Sequence, residues 1–371
     1  MILTNEKIIH LVVAARPNFI KIAPLYHALK EEDWAVPVIV HTGQHYDFNM
    51  SDAFFQDLCM PQPYLHLGVG SGSHGEQTGK AIIEYEKVLL KEMPDLVVVA
   101  GDVNSTMASA LAATKIGIKV AHLEAGLRSF DRTMPEEINL VVTDALADLL
   151  WTHSPDADEN LLREGISAEK IERVGNIMID SLEALRHSIE GKHLYLKYSL
   201  KKGDYGLVTM HRPSNVDSPS VLGELCKNLI CISMKIPLVI IIHPRTLKNL
   251  NTYNLMRNLK QAKNLYLLDP LNYISFMNLV FNCRLVITDS GGLQEETTYL
   301  GIPCLTVREN TERPITVQYG TNRLCKSEEI PNLVNSIISD WNTKRQIPEK
   351  WDGHTAHRVV QSIKRFIIGT C

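Results

Sequence analysis

Acidic residues placed directly after apolar runs, and one glycine turn, are where this 371-residue chain carries chemistry. From Leu285 to Glu296 the sequence reads as a buried strand that runs into Ser290-Gly291-Gly292 and then opens a helix. Glycine lets backbone N–H groups approach phosphate oxygens, and the helix N-terminus adds the positive end of its dipole. Glu296, about one turn on, is placed to accept from ribose hydroxyls. The segment therefore suits a phosphorylated, ribose-containing ligand.

Three carboxylates stand elsewhere. Asp102 lies in Ala100-Gly101-Asp102-Val103-Asn104-Ser105-Thr106, where Asn104 or Ser105 is expected to cap the Ala-rich helix that follows. An Asp there often does no more than make a turn. Glu124, in His122-Leu123-Glu124-Ala125-Gly126-Leu127-Arg128, resists that explanation, because a carboxylate directly after a buried strand is costly unless paired or used. Pro135-Glu136-Glu137 reads as a helix start, a role that suffices for one Glu and leaves Glu136 to face a ligand. Of the nearby cations, Lys21 is by default solvated. Arg16 is the better phosphate partner, since its planar fork binds oxygens in pairs. His211 is a phosphate donor candidate opposite Ser290, and His243 a supporting residue.

Short apolar runs alternating with helical patterns predict an α/β fold with parallel sheets. Strands are expected at Ile8–Ala14, Val36–His41, Leu96–Ala100 and Lys119–Leu123 in a first half, and at Gly206–Met210, Leu238–Ile242, Leu265–Leu268 and Leu285–Thr288 in a second. Arg16, Asp102, Glu124, His211 and Ser290 all fall just past the carboxyl ends of these runs, the edge where open α/β sheets bind ligands. Two such sheets facing each other predict an interdomain active-site cleft. The join is placed near Gly175-Asn176, giving domains 1–174 and 175–353, with a helix at about 354–371 crossing back onto the first.

A formal net charge of −4 argues against nucleic acid or anionic lipid as partner and for a small anionic ligand. Seven cysteines without a CxxC pair read as reduced thiols of a cytoplasmic protein, not as disulfides or a zinc site. No run reaches transmembrane length. Gly70-Ser71-Gly72-Ser73-His74-Gly75 matches G-x-G-x-x-G, but the run before it is interrupted by prolines, so it is expected to be a mobile loop and not a dinucleotide site.

Taken together, Ala15-Arg16-Pro17-Asn18-Phe19-Ile20-Lys21, His122 to Arg128, Pro135-Glu136-Glu137, Thr288 to Glu296 and Thr311-Glu312-Arg313-Pro314 resemble the non-hydrolysing UDP-N-acetylglucosamine 2-epimerases, in order and over nearly the whole chain. The resemblance implies two Rossmann-like domains in the GT-B arrangement. It implies UDP on the second domain, with Ser290, Gly291 and Gly292 at phosphate, Glu296 at ribose, Arg16, His211 and Arg313 completing the diphosphate site, and Leu271 and Phe276 bordering uracil. Lys21, Asp102, Glu124 and Glu136 would face the sugar, with Asp102 the leading base. It further implies an elimination of UDP to a 2-acetamidoglucal followed by re-addition, no metal or redox cofactor, a homodimer, and supply of N-acetylmannosamine units to surface polysaccharide.

Two departures stand out. Leu140 occupies a position where the family usually has arginine, on a helix face expected to be shared with Glu136, which leaves Arg128 or Arg132 to substitute or else weakens catalysis. Asn18 stands where many relatives carry Glu. That form, with His41 to Asp47 and Gly70 to Gly79, resembles a subgroup that includes epimerases of modified UDP-sugars, so UDP-2,3-diacetamido-glucuronic acid is an alternative substrate. A GT-B glycosyltransferase and a weakly active or inactive UDP-sugar binder are the other readings, with a hydrolysing epimerase as an intermediate case; the three acids count against the first, and the second rests on Leu140 alone.

Overall fold

Val-, Ile- and Leu-rich runs of four to seven residues form parallel strands here because helices cover both faces of each sheet, so the runs need no polar alternation. The computed structural model describes residues 6–43, 58–339 and 346–369, the side chains of Arg16 and Pro17 excepted. The Gln44 to Asp47 part of the subgroup motif lies outside the described residues.

The first sheet has seven strands: β1 (Lys7–Val13), β2 (Ala35–His41), β3 (Leu65–His66), β4 (Leu96–Ala100), β5 (Val120–Leu123), β6 (Leu149–Thr152) and β7 (Ile171–Arg173). The second has six: β8 (Gly206–Met210), β9 (Leu238–Ile242), β10 (Leu265–Leu268), β11 (Leu285–Thr288), β12 (Cys304–Val307) and β13 (Asn322–Cys325). Their orders, 3-2-1-4-5-6-7 and 10-9-8-11-12-13, are one winding scheme used twice. Each is a Rossmann-like sheet whose strand order reverses between its first and fourth strands, where a crevice opens at the carboxyl edge. In the first sheet β1 lies against β4 there, and in the second β8 against β11. At that second reversal Thr209 and Thr288 share a hydroxyl contact of 2.8 Å, and Thr288 Oγ1 accepts from Ser290 N at 3.0 Å, fixing where the glycine turn begins.

The chain divides into two units, residues 1–184 with 349–371, and residues 185–348. The division falls within the helix Ile177–Glu190, later than the join placed near Gly175. The early part of that helix is bonded into the first unit: Ser181 Oγ donates to Ile20 O, and Asp180 Oδ1 accepts from Ala356 N at 2.7 Å. The helix Thr355–Ile368 belongs to the same unit, where Trp151 Nε1 donates to Ser362 Oγ at 2.8 Å.

The stretch expected as a mobile loop at Gly70 to Gly75 runs instead into the helix His74–Glu92. Ser73 Oγ accepts from Glu76 N and Glu76 Oε2 accepts from Ser73 N, a reciprocal cap written in the Ser-x-x-Glu spacing. Neither Asn104 nor Ser105 caps the helix Asn104–Ile116: its N-cap residue is Val103, and Asn104 gives its amide to Gln77 Oε1 at 2.8 Å. No described helix is long and apolar enough to cross a membrane.

Candidate active site

At the reversal of the first sheet, the turn after β4 is held from within. Ala100 O accepts from Asn18 Nδ2 (2.8 Å) and Thr106 Oγ1 (3.0 Å), Gly101 O faces His122 Nε2 (2.9 Å), and Asp102 O accepts from Asn139 Nδ2 (2.8 Å). With these carbonyls drawn inward the half-buried Asp102 is held in a fixed turn. Gly101 is required there: its φ is +71°, and a Cβ would come within 2.9 Å of Lys21 Nζ.

Lys21 is not solvated. It is 7% exposed and its Nζ lies 2.5 Å from Glu124 Oε2, itself on a residue 3% exposed. Glu124 takes φ +71°, a conformation rare for any residue but glycine. The carboxylate after β5 is thus paired, buried and set in an unusual backbone turn beside the Asp102 loop.

The two acids at Pro135 divide as the helix start requires. Glu137 is buried and accepts from Ser129 N (2.7 Å) and Ser129 Oγ (2.8 Å), while Glu136 is exposed. Glu136 lies three residues before Asn139 and shares its helix face. Leu140, only 2% exposed, is packed inward and does not accompany Glu136 to the surface. Arg128 is no free substitute for a cation at that position: it is committed to Asp144 (2.7 Å), Glu164 (2.6 Å) and Leu127 O (2.7 Å).

At the reversal of the second sheet the central group is Asp289, fully buried. Its carboxylate accepts from the backbone N–H of His211 (3.0 Å) and Arg212 (2.9 Å), from Asn215 Nδ2 (3.0 Å), and lies 2.9 Å from His211 Nδ1. Burial alone would raise its pKa, but His211 and the N–H donors outweigh burial and hold it below the ordinary carboxylate range. Because Asn215 also donates to Val307 O at 3.0 Å, one carboxylate ties together the ends of β8, β11 and β12. It also turns Nε2 of His211 away from itself, toward the outside of the turn. His243 lies tilted against His211 with ring centroids 5.4 Å apart, and burial, with His211 beside it, lowers its pKa.

The glycines after Asp289 differ in purpose. A Cβ at Gly291 would lie 2.7 Å from both Arg313 Nη1 and Glu312 Oε1, whereas one at Gly292 would meet nothing within 4 Å. Gly291 therefore admits the Arg313–Glu312 pair, and Gly292 opens the helix Gly292–Leu300 toward free space. Arg313, expected at the diphosphate, has its guanidinium engaged with Glu312 (2.8 Å) and Glu295 (3.0 Å). Glu312 also pairs with Arg308 at 2.7 Å; burial opposes its charge, but Arg313 and Arg308 pull its pKa down to about 2. Glu296 accepts from the Tyr273 hydroxyl at 2.6 Å. Burial pushes its pKa up to about 7, Tyr273 opposing the rise and Glu295 adding to it. Leu271 and Phe276, half-buried, flank the start of the helix Tyr273–Asn282. The Arg16 side chain lies outside the described residues.

Asn139, His122, Asp144, Asp289 and Glu312 had not been singled out. Asp289 was legible by the test applied to Glu124, an acid directly after a fully buried strand. Asn139, His122 and Asp144 depend on contacts between distant segments, and Glu312 on its neighbours Arg308 and Arg313. The first unit thus carries carboxylates, one lysine and a braced turn, and the second carries a glycine turn, a helix start and neutralised acids.

The family model described as UDP-N-acetylglucosamine 2-epimerase matches residues 27–364. The UDP-N-acetylglucosamine 2-epimerase of Methanocaldococcus jannaschii is 43% identical over 359 residues, 95% of this chain and 97% of that protein. A UDP-2,3-diacetamido-2,3-dideoxy-D-glucuronate 2-epimerase of Pseudomonas aeruginosa is 39% identical, covering 84% of this chain and 86% of its own. The crystal structure of the M. jannaschii enzyme in complex with UDP-GlcNAc and UDP superposes with a TM-score of 0.87 at 42% identity, covering 96% of this chain and 99% of that one. The two Rossmann-like domains are of the GT-B type found in these solved relatives. By its family match and by these likenesses, the chain belongs to the UDP-N-acetylglucosamine 2-epimerase family.

Proposed function

We propose that this chain interconverts UDP-N-acetylglucosamine and UDP-N-acetylmannosamine by eliminating UDP and adding it back. The observation that carries this reading is the buried Lys21–Glu124 pair beside the Asp102 turn, a set of groups suited to moving protons at an edge whose counterpart in the second unit suits phosphate and ribose. The C2 proton of the sugar has no adjacent carbonyl to acidify it. Asp102 removes that proton as the C1–O bond breaks and the electron pair leaves with UDP, giving a 2-acetamidoglucal. Return of a proton to the other face of C2, supplied or positioned by Glu124 and Glu136, and re-addition of UDP at C1 complete the inversion.

UDP departs as an anion and must be held until it returns. Ser290, Gly291 and Gly292 offer backbone N–H groups to its phosphates, Arg16 adds a cationic donor and His211 a ring N–H, Glu296 takes the ribose, and Leu271 and Phe276 border uracil. Arg313 serves by bracing the glycine turn through Glu312 and Glu295. A cytoplasmic homodimer supplying N-acetylmannosamine units for surface polysaccharide belongs to the same reading.

The likeness to the P. aeruginosa enzyme favours one second reading, a 2-epimerase of UDP-2,3-diacetamido-glucuronic acid. Incubation with each UDP-sugar, followed by chromatography of the products, separates the cases. Formation of UDP-N-acetylmannosamine supports the main reading, and turnover of the uronate alone supports the second. Free sugar with UDP indicates a hydrolase, and failure of both substrates to react defeats the enzyme assignment.

A further inference from the structure

We infer that His122 is a positioning residue of the proton-handling edge, joining the turn that carries Asp102 to the turn that carries Glu124. The inference rests on the reading above. His122 is fully buried at the end region of β5 and stands two residues before Glu124. Its Nε2 lies 2.9 Å from Gly101 O, and since a carbonyl oxygen only accepts, Nε2 carries the hydrogen and donates. Its Nδ1 lies 2.6 Å from Asp144 Oδ1.

Asp144 is anchored in turn. Its Oδ2 accepts from Gly126 N (3.1 Å), two residues after Glu124, and pairs with Arg128 Nη2 (2.7 Å), which Glu164 also holds at 2.6 Å. The charged groups packed against the ring's surroundings are therefore Asp144, Arg128 and Glu164, with the Lys21–Glu124 pair beside the Gly101 turn. Of the three carbonyls that fix the Asp102 turn, those of Ala100 and Asp102 are held by Asn18, Thr106 and Asn139. Only the carbonyl between them is held by a group that is itself fastened to the Glu124 segment on both sides, by chain connection and through Asp144 and Gly126 N. Beside the backbone bond from Gly101 N to Leu123 O (3.1 Å), His122 thereby adds a side-chain brace between the turns that carry the two carboxylates.

The two amide residues separate its two bonds. Asn places its nitrogen where Nδ1 stands and keeps the Asp144 contact alone, and Gln places its nitrogen where Nε2 stands and keeps the Gly101 contact alone. Exchange of the substrate C2 hydrogen in heavy water, measured at saturating and limiting UDP-N-acetylglucosamine, reads the effect. For His122→Asn we expect kcat to fall roughly ten- to a hundredfold, the scale of a small misplacement of reacting groups, with KM and the Kd for UDP little changed. For His122→Gln we expect kcat within about threefold of wild type, because the bond to the Asp102 turn survives. Equal losses in the two variants, or a loss expressed in KM or UDP affinity, would overturn the inference. Should His122→Asn fail to fold, the wild-type protein and His122→Gln decide: a His122 Nε2–H resonance protected from exchange, with near-native kcat in the Gln variant, supports the role, and the lack of either overturns it. A wild-type enzyme that exchanges no C2 hydrogen would instead refute the reaction itself.

Discussion

The two units reverse their strand order at equivalent places, and they fill those places with opposite chemistry. After β8 and β11 the buried acids are spent internally: Asp289 on backbone N–H groups and His211, Glu312 and Glu295 on arginines. What stands there besides is a glycine turn, a helix start and Glu296, which accepts from Tyr273. After β1, β4 and β5 the backbone is what has been spent, its carbonyls taken by Asn18, Thr106, His122 and Asn139, while Asp102 and the Lys21–Glu124 pair stay at the edge. One winding scheme therefore sets both edges, and the side chains that brace each turn decide which groups stand there.

The largest effect is expected in the first unit. Asp102→Asn should lower C2 hydrogen exchange by about 10²–10⁴, the range for a lost general base, with UDP binding by calorimetry unchanged. A parallel loss of UDP affinity would mean that the two edges do not divide the work. Lys21→Met strands Glu124 in a buried site and should cost about 3–5 kcal/mol of stability in chemical denaturation, since removing one partner leaves an uncompensated charge. Restoring stability by adding Glu124→Gln would trace that loss to the pair.

On the gripping side, the raised pKa of Glu296 has a signed consequence. The unfolded carboxyl titrates near 4.5 and the folded one near 7. Its contribution to stability is therefore fully present below pH 4.5 and is lost as pH rises through about 7, on the order of 3 kcal/mol. Denaturation curves from pH 4.5 to 8 should show this slope in the wild type and not in Glu296→Gln. Gly291→Ala should cost about 1–3 kcal/mol in a melting experiment, because its Cβ meets the Arg313–Glu312 pair at 2.7 Å, while Gly292→Ala, facing open space, should melt near wild type. The smallest effect is expected at Leu140. Placed inward on a helix whose Asp144 already has Arg128, Leu140→Arg should give turnover no higher than wild type; a clear gain would restore the missing-cation explanation.

Much of this division was legible in the sequence. Runs such as Leu96–Ala100 and Gly206–Met210 announce buried strands, and the residues just past their ends are the ones that the structure brings to each edge. The two-residue β3 and β13, whose Asn-Arg-Leu-Cys carries no apolar run, left no comparable signal. The cost of an unpaired carboxylate after a strand pointed to a partner for Glu124 without naming Lys21, 103 residues away in sequence. Arg313 looked like a phosphate ligand because nothing local reveals that Glu295, on the helix Gly292–Leu300, claims its Nε. Pairings of that kind are set by chain crossings, and they also hide the bracing residues Asn139 and His122.

The central claim is that the first unit's acids break and remake the C2–H bond while the second unit keeps UDP. Nuclear magnetic resonance of UDP-N-acetylglucosamine turned over in heavy water tests it most directly. We expect one deuterium at C2 in both epimers, with the original hydrogen kept at C1. Epimers that form with the original hydrogen retained at C2 would contradict it.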